Sequence, residues 1–425
     1  MSKQVSSKPA RGMRDVLPKD VELRQNVMSV IEAVYIAYGF TRIETPAVEN
    51  INLLTTGEGG ENEKQLFRII KRGITTDDLN KASSVYDVID YGLRFDLTIP
   101  LARYYADNHA NLPVPFKAIQ MGSVWRAERP QKGRFRQFTQ CDIDIIGDET
   151  NFAEQELISA TSEVLVGLGF NGFKVRVNDR RILRGIAEFS GCKVDDFDMI
   201  FIVIDKLDKI GIDGVEKELC ERGLEQKSVS KLIAFLRGVS GDTEGRDLFV
   251  NLPAEVNAQV VTSLRKIIST VESQTNGKYR IVFDPTLVRG MGYYTGPIFE
   301  IEDKDFPVSI AGGGRYDKMI GKYINKDIPA CGFSIGFERI VTLLEERGYT
   351  LPAGKTKVAL IFDPRSVDVD FAMSKAQELR KEGNIVCLQQ RRKNTKKQLA
   401  DFADLGYKFF AIISNLENIN LKSMM

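Results

Sequence analysis

The chain has 425 residues, 43% hydrophobic and 28% charged, with a formal net charge of +1; that length predicts two or three domains, and near-neutrality confines any nucleic-acid contact to local basic patches. Its five cysteines (Cys141, Cys192, Cys220, Cys331, Cys387) form no CxxC pair and its one histidine is His109, which argues against a disulfide framework, a zinc site or a Ser-His-Asp triad and for reduced thiols in a cytoplasmic compartment. No apolar run approaches the ~20 residues that a membrane helix needs, so no membrane span is expected.

The N-terminal MSKQVSSKPARG is basic, lacks a secretory apolar segment and reads as a loose tail. A helix is predicted from about Asp20 to Tyr38, with Leu23, Val27, Val30, Ile31, Val34 and Tyr38 on one face and Gly39 as the stop. TRIETPAVE, with Pro46, follows as a strand. Leu93–Thr98 alternates next, placing Arg94, Asp96 and Thr98 on one side before Pro100 opens a helix. Two readings of that segment stand level: a polar face in solvent, or Asp96 and Thr98 accepting hydrogen bonds from an ammonium group.

From Ala118 to Gly147 the chain predicts two antiparallel strands joined by a loop carrying Arg129, Lys132, Arg134 and Arg136. Val124, Arg126 and Glu128 share one face of the first strand. On the return strand Phe138, Gln140, Asp142 and Asp144 share a face, and Thr139, Cys141, Ile143 and Ile145 share the other. Such a hairpin alone is most simply a half-solvated sheet. An aromatic ring among acids, beside so basic a loop, points instead to a surface for an anionic, ring-containing ligand.

FKVRVNDRRIL, from Phe173, predicts a strand feeding a helix, and the charged stretch from DKLDKIG to about Arg237 a helical subdomain with Leu232, Ile233 and Leu236 inside. VRGMGYYTGPIFEI sets Arg289 among glycines, with Tyr293 and Tyr294 expected on opposite sides of a strand. AGGGRYDKMIG reads as a glycine turn ahead of Arg315, Tyr316 and Asp317. CGFSIGFERI aligns Gly332, Ser334 and Gly336 as a flat shelf before Arg339. TLPAGKTK is the clearest linker. After it, VALIF, a helix capped by Ser366 and running to Lys381, IVCLQ, a helix around Lys397–Leu405 and KFFAIIS predict a small parallel sheet covered by helices. Arg391, Arg392, Lys393, Lys396 and Lys397 gather at a helix start, where cations oppose the helix dipole, so a neutralising partner is expected.

WRAERPQKGRFRQFTQCDIDIIG closely resembles motif 2 of the class II aminoacyl-tRNA synthetases in its histidyl form. The first helix and the Pro46 strand resemble motif 1, a dimerisation element. FDLT resembles the amino-group loop, VRGMGYYTG and GGGRYD the histidyl signatures, and CGFSIGFERI motif 3. Gly292 stands where many members carry an acid.

The resemblance implies a histidine–tRNA ligase using ATP with Mg2+, L-histidine and tRNA(His), acting as a homodimer. It assigns histidine binding to Asp96, Leu97, Thr98, Arg126, Gln140, Asp144, Arg289, Tyr293, Tyr294 and Tyr316. ATP would meet Arg126, Glu128, Arg136, Phe138 and Arg339, with Arg126 and Arg289 catalytic and no protein-bound metal. Lys132, Arg134, Arg391, Arg392, Lys393, Lys396 and Lys397 would meet tRNA. The fold implied is an α+β catalytic domain with a mixed, mainly antiparallel sheet flanked by helices, over 1–172 and 280–350. A strand-helix link and a helical insertion would occupy 173–279, and a small α/β anticodon-binding domain, shortened at its end, 356–425. Two alternatives are weighed. A non-catalytic relative, the regulatory subunit of ATP phosphoribosyltransferase, would typically lack the motif arginines; a prolyl or threonyl enzyme would not account for Asp144 with the tyrosine pair.

Overall fold

The computed structural model describes residues 6–55, 65–129, 135–240, 247–289, 292–352, 354–413 and 419–424. They form two compact units. One holds Met1–Arg14 and Met28–Leu343, the other Asp15–Val27 and Leu344–Met425.

The strands of the first unit are β1 (Thr41–Arg42), β2 (Val48–Asn50), β3 (Arg68–Ile70), β4 (Ile89–Leu93), β5 (Phe116–Trp125), β6 (Gln137–Ile146), β7 (Lys174–Asp179), β8 (Arg280–Phe283), β9 (Pro297–Asp303), β10 (Phe306–Arg315) and β11 (Ala330–Ile335). Eight of them make one sheet in the order β1-β5-β6-β11-β10-β9-β7-β8, and β2-β4-β3 make a smaller one. The six central strands of the large sheet are antiparallel, and β1 and β8 pair parallel at its edges. This is the mixed, mainly antiparallel sheet the sequence implied.

The apolar face of β6, with Ile143 and Ile145 almost fully buried, is covered by the helix Phe152–Gly167, which buries Leu157, Ile158, Val164 and Leu165. Tyr35 meets the same helix through a 3.3 Å hydrogen bond with Thr161. It is fully buried, although it fell outside the predicted apolar face of the first helix, which spans Pro18–Ala37. The insertion is helical as read: Phe197–Ile204, Leu207–Glu221 and Gln226–Val239, with Leu232, Ile233 and Leu236 inside. Glu154 and Arg315, both buried, form a two-pronged ion pair at 2.6 and 2.9 Å that ties this face together.

Several expectations are corrected. TRIETPAVE is not one strand but two short ones, β1 and β2, around a break at Pro46. The carbonyl groups of Thr45 and Pro46 turn aside to accept hydrogen bonds from Arg94 Nη1 at 2.6 and 3.4 Å, while Arg94 Nε donates to Ser123 at 2.9 Å. Arg94 is therefore a buried staple rather than part of a ligand face. Leu93–Thr98 is not a strand: β4 ends at Leu93 and a helix starts at Thr98, because the Asp96 carboxylate accepts the Ile99 N–H at 3.2 Å and opens the helical turn. AGGGR lies within β10 rather than in a turn. Its glycines serve close approach, since a Cβ on Gly313 would collide with the backbone carbonyl of Gly332 on β11.

The second unit carries β12 (Lys357–Phe362), β13 (Ile385–Gln390), β14 (Phe409–Ile413) and β15 (Lys422–Ser423), in the order β13-β12-β14-β15. The first three are parallel, as expected, and a short antiparallel β15 is added at the edge. Alternation along β12 sends Val358, Leu360 and Phe362 toward Ala372 and Ala376, and Ala359 and Ile361 toward Phe402. The first helix of this layer, Val369–Lys381, is capped by Asp368 rather than Ser366. The second, Thr395–Asp404, is capped by Asn394, whose Oδ1 accepts from Lys397 N at 3.0 Å. Replacing Asn394 by alanine is expected to cost this unit about 1 kcal/mol, read as a lower midpoint in urea unfolding with an unchanged slope.

Candidate active site

Pairing across the large sheet places residues in rows, and period two puts alternate rows on one face. One row runs Arg176, Glu300, Gly312, Ser334, Asp142, Gln120; the next on that face runs Asn178, Ile298, Gly314, Gly332, Asp144, Ala118. Small residues thus occupy the middle of the sheet, with acids on the β6 side and a charged pair on the β7–β9 side. Above this surface opens a cavity of about 1260 Å³. Arg126, Arg289, Arg339, Asp96, Thr98, Gln140, Asp144, Tyr293, Tyr294, Tyr316, Glu128 and Phe138 all line it.

The missing Cβ atoms shape the site. A Cβ on Gly332 would strike the Asp144 carboxylate, and one on Gly312 would strike the Arg289 guanidinium. Glycine at both places lets charged groups lie flat against the sheet. Tyr316 donates its hydroxyl to Asp144 Oδ1 at 2.5 Å, leaving Asp144 Oδ2 buried without a partner. Gln140 donates through Nε2 to Asp142 at 3.2 Å and to Ser334 at 3.2 Å, leaving its Oε1 without a partner. Asp96 Oδ2 is the third such acceptor. Buried acceptors without donors are costly, so three facing one cavity call for a ligand rich in N–H groups.

Electrostatics agree. Burial pushes Asp96 up to about 6 despite the Ile99 N–H and Arg126, and pushes Asp142 up to about 7. Burial, then the charge of Asp142, holds Asp144 well above the usual carboxylate range. Between about pH 4 and 7 the folded chain therefore keeps protons that the unfolded chain has released, and these acids lose stability as pH rises through that window. An Asp142→Asn variant is expected to gain thermal stability over the parent protein, by a margin that widens from pH 4 to 7; melts across that range check it.

On the other side, Arg289 Nη1 donates to Glu300 at 2.6 Å. Burial works against its charge, but Tyr294 and Glu300 outweigh that and hold the guanidinium more firmly protonated than usual. Arg126 Nε donates to the Phe95 carbonyl at 3.0 Å, and its guanidinium lies 5.0 Å from the Phe138 ring centre. Arg339, in the first turn of the helix Phe337–Glu346, donates Nη1 to the Ser309 carbonyl. Tyr293 and Tyr294 are not on opposite sides of a strand. They sit ahead of β9 with ring centres 4.8 Å apart, edge to face, and both line the cavity.

Other expected residues lie elsewhere. The Leu97 side chain is core, and its carbonyl accepts from Gln120 at 2.9 Å, so it does not line the cavity. Arg136 does not line it either; its Nε donates to the Glu128 carbonyl at 3.0 Å and thereby shapes the hairpin's base. Lys132 and Arg134 lie outside the described residues. Arg391, Arg392, Lys393, Lys396 and Lys397 are exposed around the start of the helix Thr395–Asp404, with Arg392 paired to Asp401 at 3.1 Å.

Asp142, Glu300 and Glu338 also line the cavity and were not assigned from sequence. Asp142 was signalled by its place between Gln140 and Asp144. Glu338 precedes Arg339 and accepts from Arg14 at 2.8 Å and from Thr139 N at 3.2 Å, contacts that no local pattern reveals.

A family profile described as histidyl-tRNA synthetase matches residues 12–340. The chain belongs to the histidyl-tRNA synthetase family. A histidine–tRNA ligase from Leifsonia xyli subsp. xyli (strain CTCB07) is 43% identical over 417 residues, spanning 95% of each chain. One from Korarchaeum cryptofilum (strain OPF8) is 36% identical over 416 residues, 96% of this chain and 91% of that one. The crystal structure of histidyl-tRNA synthetase from Nostoc sp. PCC 7120 superposes with a TM-score of 0.78 at 27% identity, covering 99% of this chain and 95% of that one. The class II synthetase fold follows for this member of the family, and no helix among its described residues is long and apolar enough to cross a membrane.

Proposed function

We propose that this chain is a histidine–tRNA ligase: it joins L-histidine to ATP, releasing pyrophosphate, and passes the histidyl group from histidyl-adenylate to the 3′ end of tRNA(His). One observation carries the reading. A single cavity is lined both by three residues with buried, unpartnered acceptors (Asp96, Gln140 and Asp144) and by three guanidinium groups (Arg126, Arg289 and Arg339). An amino acid with an ammonium group and ring N–H groups suits the first set, and a nucleotide triphosphate suits the second.

In this reading Asp96, Thr98 and Gln140 hold the α-ammonium group, and Asp144, fixed by Tyr316, reads an imidazole nitrogen in a pocket walled by Tyr293 and Tyr294. The histidine carboxylate attacks the α-phosphorus in line with the departing pyrophosphate. Negative charge grows on the phosphoryl oxygens, where Arg126 and Arg289 stabilise it, and Arg339 takes the γ-phosphate. Phe138 stacks on the adenine and Glu128 holds it. Magnesium enters as part of the nucleotide substrate, carried chiefly by phosphate oxygens and water.

In the second step a ribose hydroxyl of tRNA attacks the activated carbonyl and AMP leaves. Lys132, Arg134 and the exposed Arg391, Arg392, Lys393, Lys396 and Lys397 supply phosphate-facing charge for that partner. The resemblance of the first helix and the segment after it to a dimerisation element supports a homodimer, and five cysteines outside any disulfide support a reducing, cytoplasmic setting. Three arginines in one cavity favour catalysis over the regulatory-subunit alternative. Charging of a tRNA(His) transcript with labelled histidine tests the proposal. Histidyl-tRNA should form in the presence of ATP, and its absence with folded protein would exclude the function.

A further inference from the structure

We infer that Glu300 is the positioning residue for Arg289, aiming the guanidinium across the sheet at the reacting phosphoryl group. The inference rests on the adenylate-forming reading of the cavity and names a device within it.

Arg289 lies in Leu287–Thr295, a segment that contains no Asp or Glu. The carboxylate that opens the same loop, Asp284, is taken up by Arg176 at 2.7 Å. The chain supplies one from β9 instead: Glu300 stands beside Gly312 in the same row of the sheet, and its Oε2 accepts from Arg289 Nη1 at 2.6 Å. Gly312 makes the contact possible, because any Cβ there would occupy the guanidinium's place. Arg289 thus lies over a bare stretch of backbone and hooks the carboxylate on the neighbouring strand.

Glu300 is itself held. Its other oxygen faces Arg176 Nη1 at 3.7 Å, and Arg176 Nε is fixed by Asp284 at 2.7 Å. Of the two acids near Arg289, burial raises Asp205, and Glu300 makes the hydrogen bond. Arg289 Nε remains buried with no partner. The charge-assisted contact to Glu300, with Tyr294 alongside, thus holds the guanidinium and leaves donor capacity in the cavity for an oxyanion. Arg176, surrounded by Asp284, Glu300, Glu302 and Asp208, has its charge matched already and is the anchor of the row.

A double-mutant cycle on the full-length protein tests this, with single-turnover histidyl-adenylate formation and histidine-dependent pyrophosphate exchange as readouts. Glu300→Gln keeps the shape and removes the charge. It should lower kcat about 10- to 100-fold, the range seen when a group that orients a first-contact residue is removed, with KM for histidine and ATP kept within about twofold. Adding Glu300→Gln to Arg289→Ala should slow the reaction no further than Arg289→Ala alone, because a residue that acts through Arg289 has nothing left to aim. Glu300→Asp, which keeps the charge but draws it back, should lie between wild type and Glu300→Gln and still decides the matter should Glu300→Gln not fold.

Additive losses in the double mutant, a Glu300 effect confined to KM, or wild-type rates in both single variants would overturn the inference while leaving the enzyme reading intact. Wild-type protein without histidine-dependent exchange would overturn both.

Discussion

Replacing Arg289 by alanine lowers the rate of histidyl-adenylate formation by about 10²–10³-fold, the usual consequence of deleting one donor aimed at developing negative charge. Arg289 is half-buried in the cavity wall, paired with Glu300 at 2.6 Å, and its Nε has no partner. Water replaces such a fixed charge poorly. The loss should fall on the chemical step, so rapid quench under single turnover should show it with histidine saturating. A loss confined to KM would mean that Arg289 binds ground state and transition state alike. Lysine at this position should rescue poorly, since an ammonium group cannot span the flat gap between Gly312 and Glu300 as a planar fork does.

Phenylalanine is rejected relative to histidine by about 10⁴–10⁵-fold in kcat/KM. A phenyl ring placed against the tyrosine pair would leave Asp144 Oδ2 buried and unpaired. A site built to hydrogen-bond a substrate N–H discriminates strongly against the analogue lacking it. Asp144→Ala should lower kcat/KM for histidine by about 10- to 100-fold, matching about 1–3 kcal/mol for leaving a buried ring N–H without its acceptor. The phenylalanine rate should rise, because the acceptor that its ring leaves unpaired is gone, so the discrimination shrinks from both sides. Pyrophosphate exchange with each amino acid measures both. Equal losses for the two substrates would show that Asp144 shapes the pocket without reading the ring.

The legible parts of the site were those carried by strand period. Gln140, Asp142 and Asp144 must share a face whatever the rest of the fold does, and the structure puts all three on the cavity wall. Arg339 was legible because it sits in the first turn of a helix after a small-residue strand. What sequence could not supply was pairing between strands distant in the chain. Asp144 meets Gly332 and Tyr316, and Arg289 lies over Gly312, only once β6, β11 and β10 are laid side by side. The glycines of β10 read as a turn for the same reason, since a run of three glycines looks the same whether it bends the chain or admits a neighbour. Leu93–Thr98 misled through its alternation: Asp96 spends one oxygen opening a helix and keeps the other for the cavity. Arg94, on the same apparent face, was claimed by the backbone around Pro46.

The central claim is that this one cavity activates histidine with ATP. The most direct test is exchange of labelled pyrophosphate into ATP by the purified chain, run without tRNA and with histidine, proline or threonine in turn. Exchange with histidine and none above background with proline or threonine is the result expected. Exchange driven by proline or threonine, or none with histidine despite folded, ATP-binding protein, would contradict the assignment of the acidic wall to an imidazole ring.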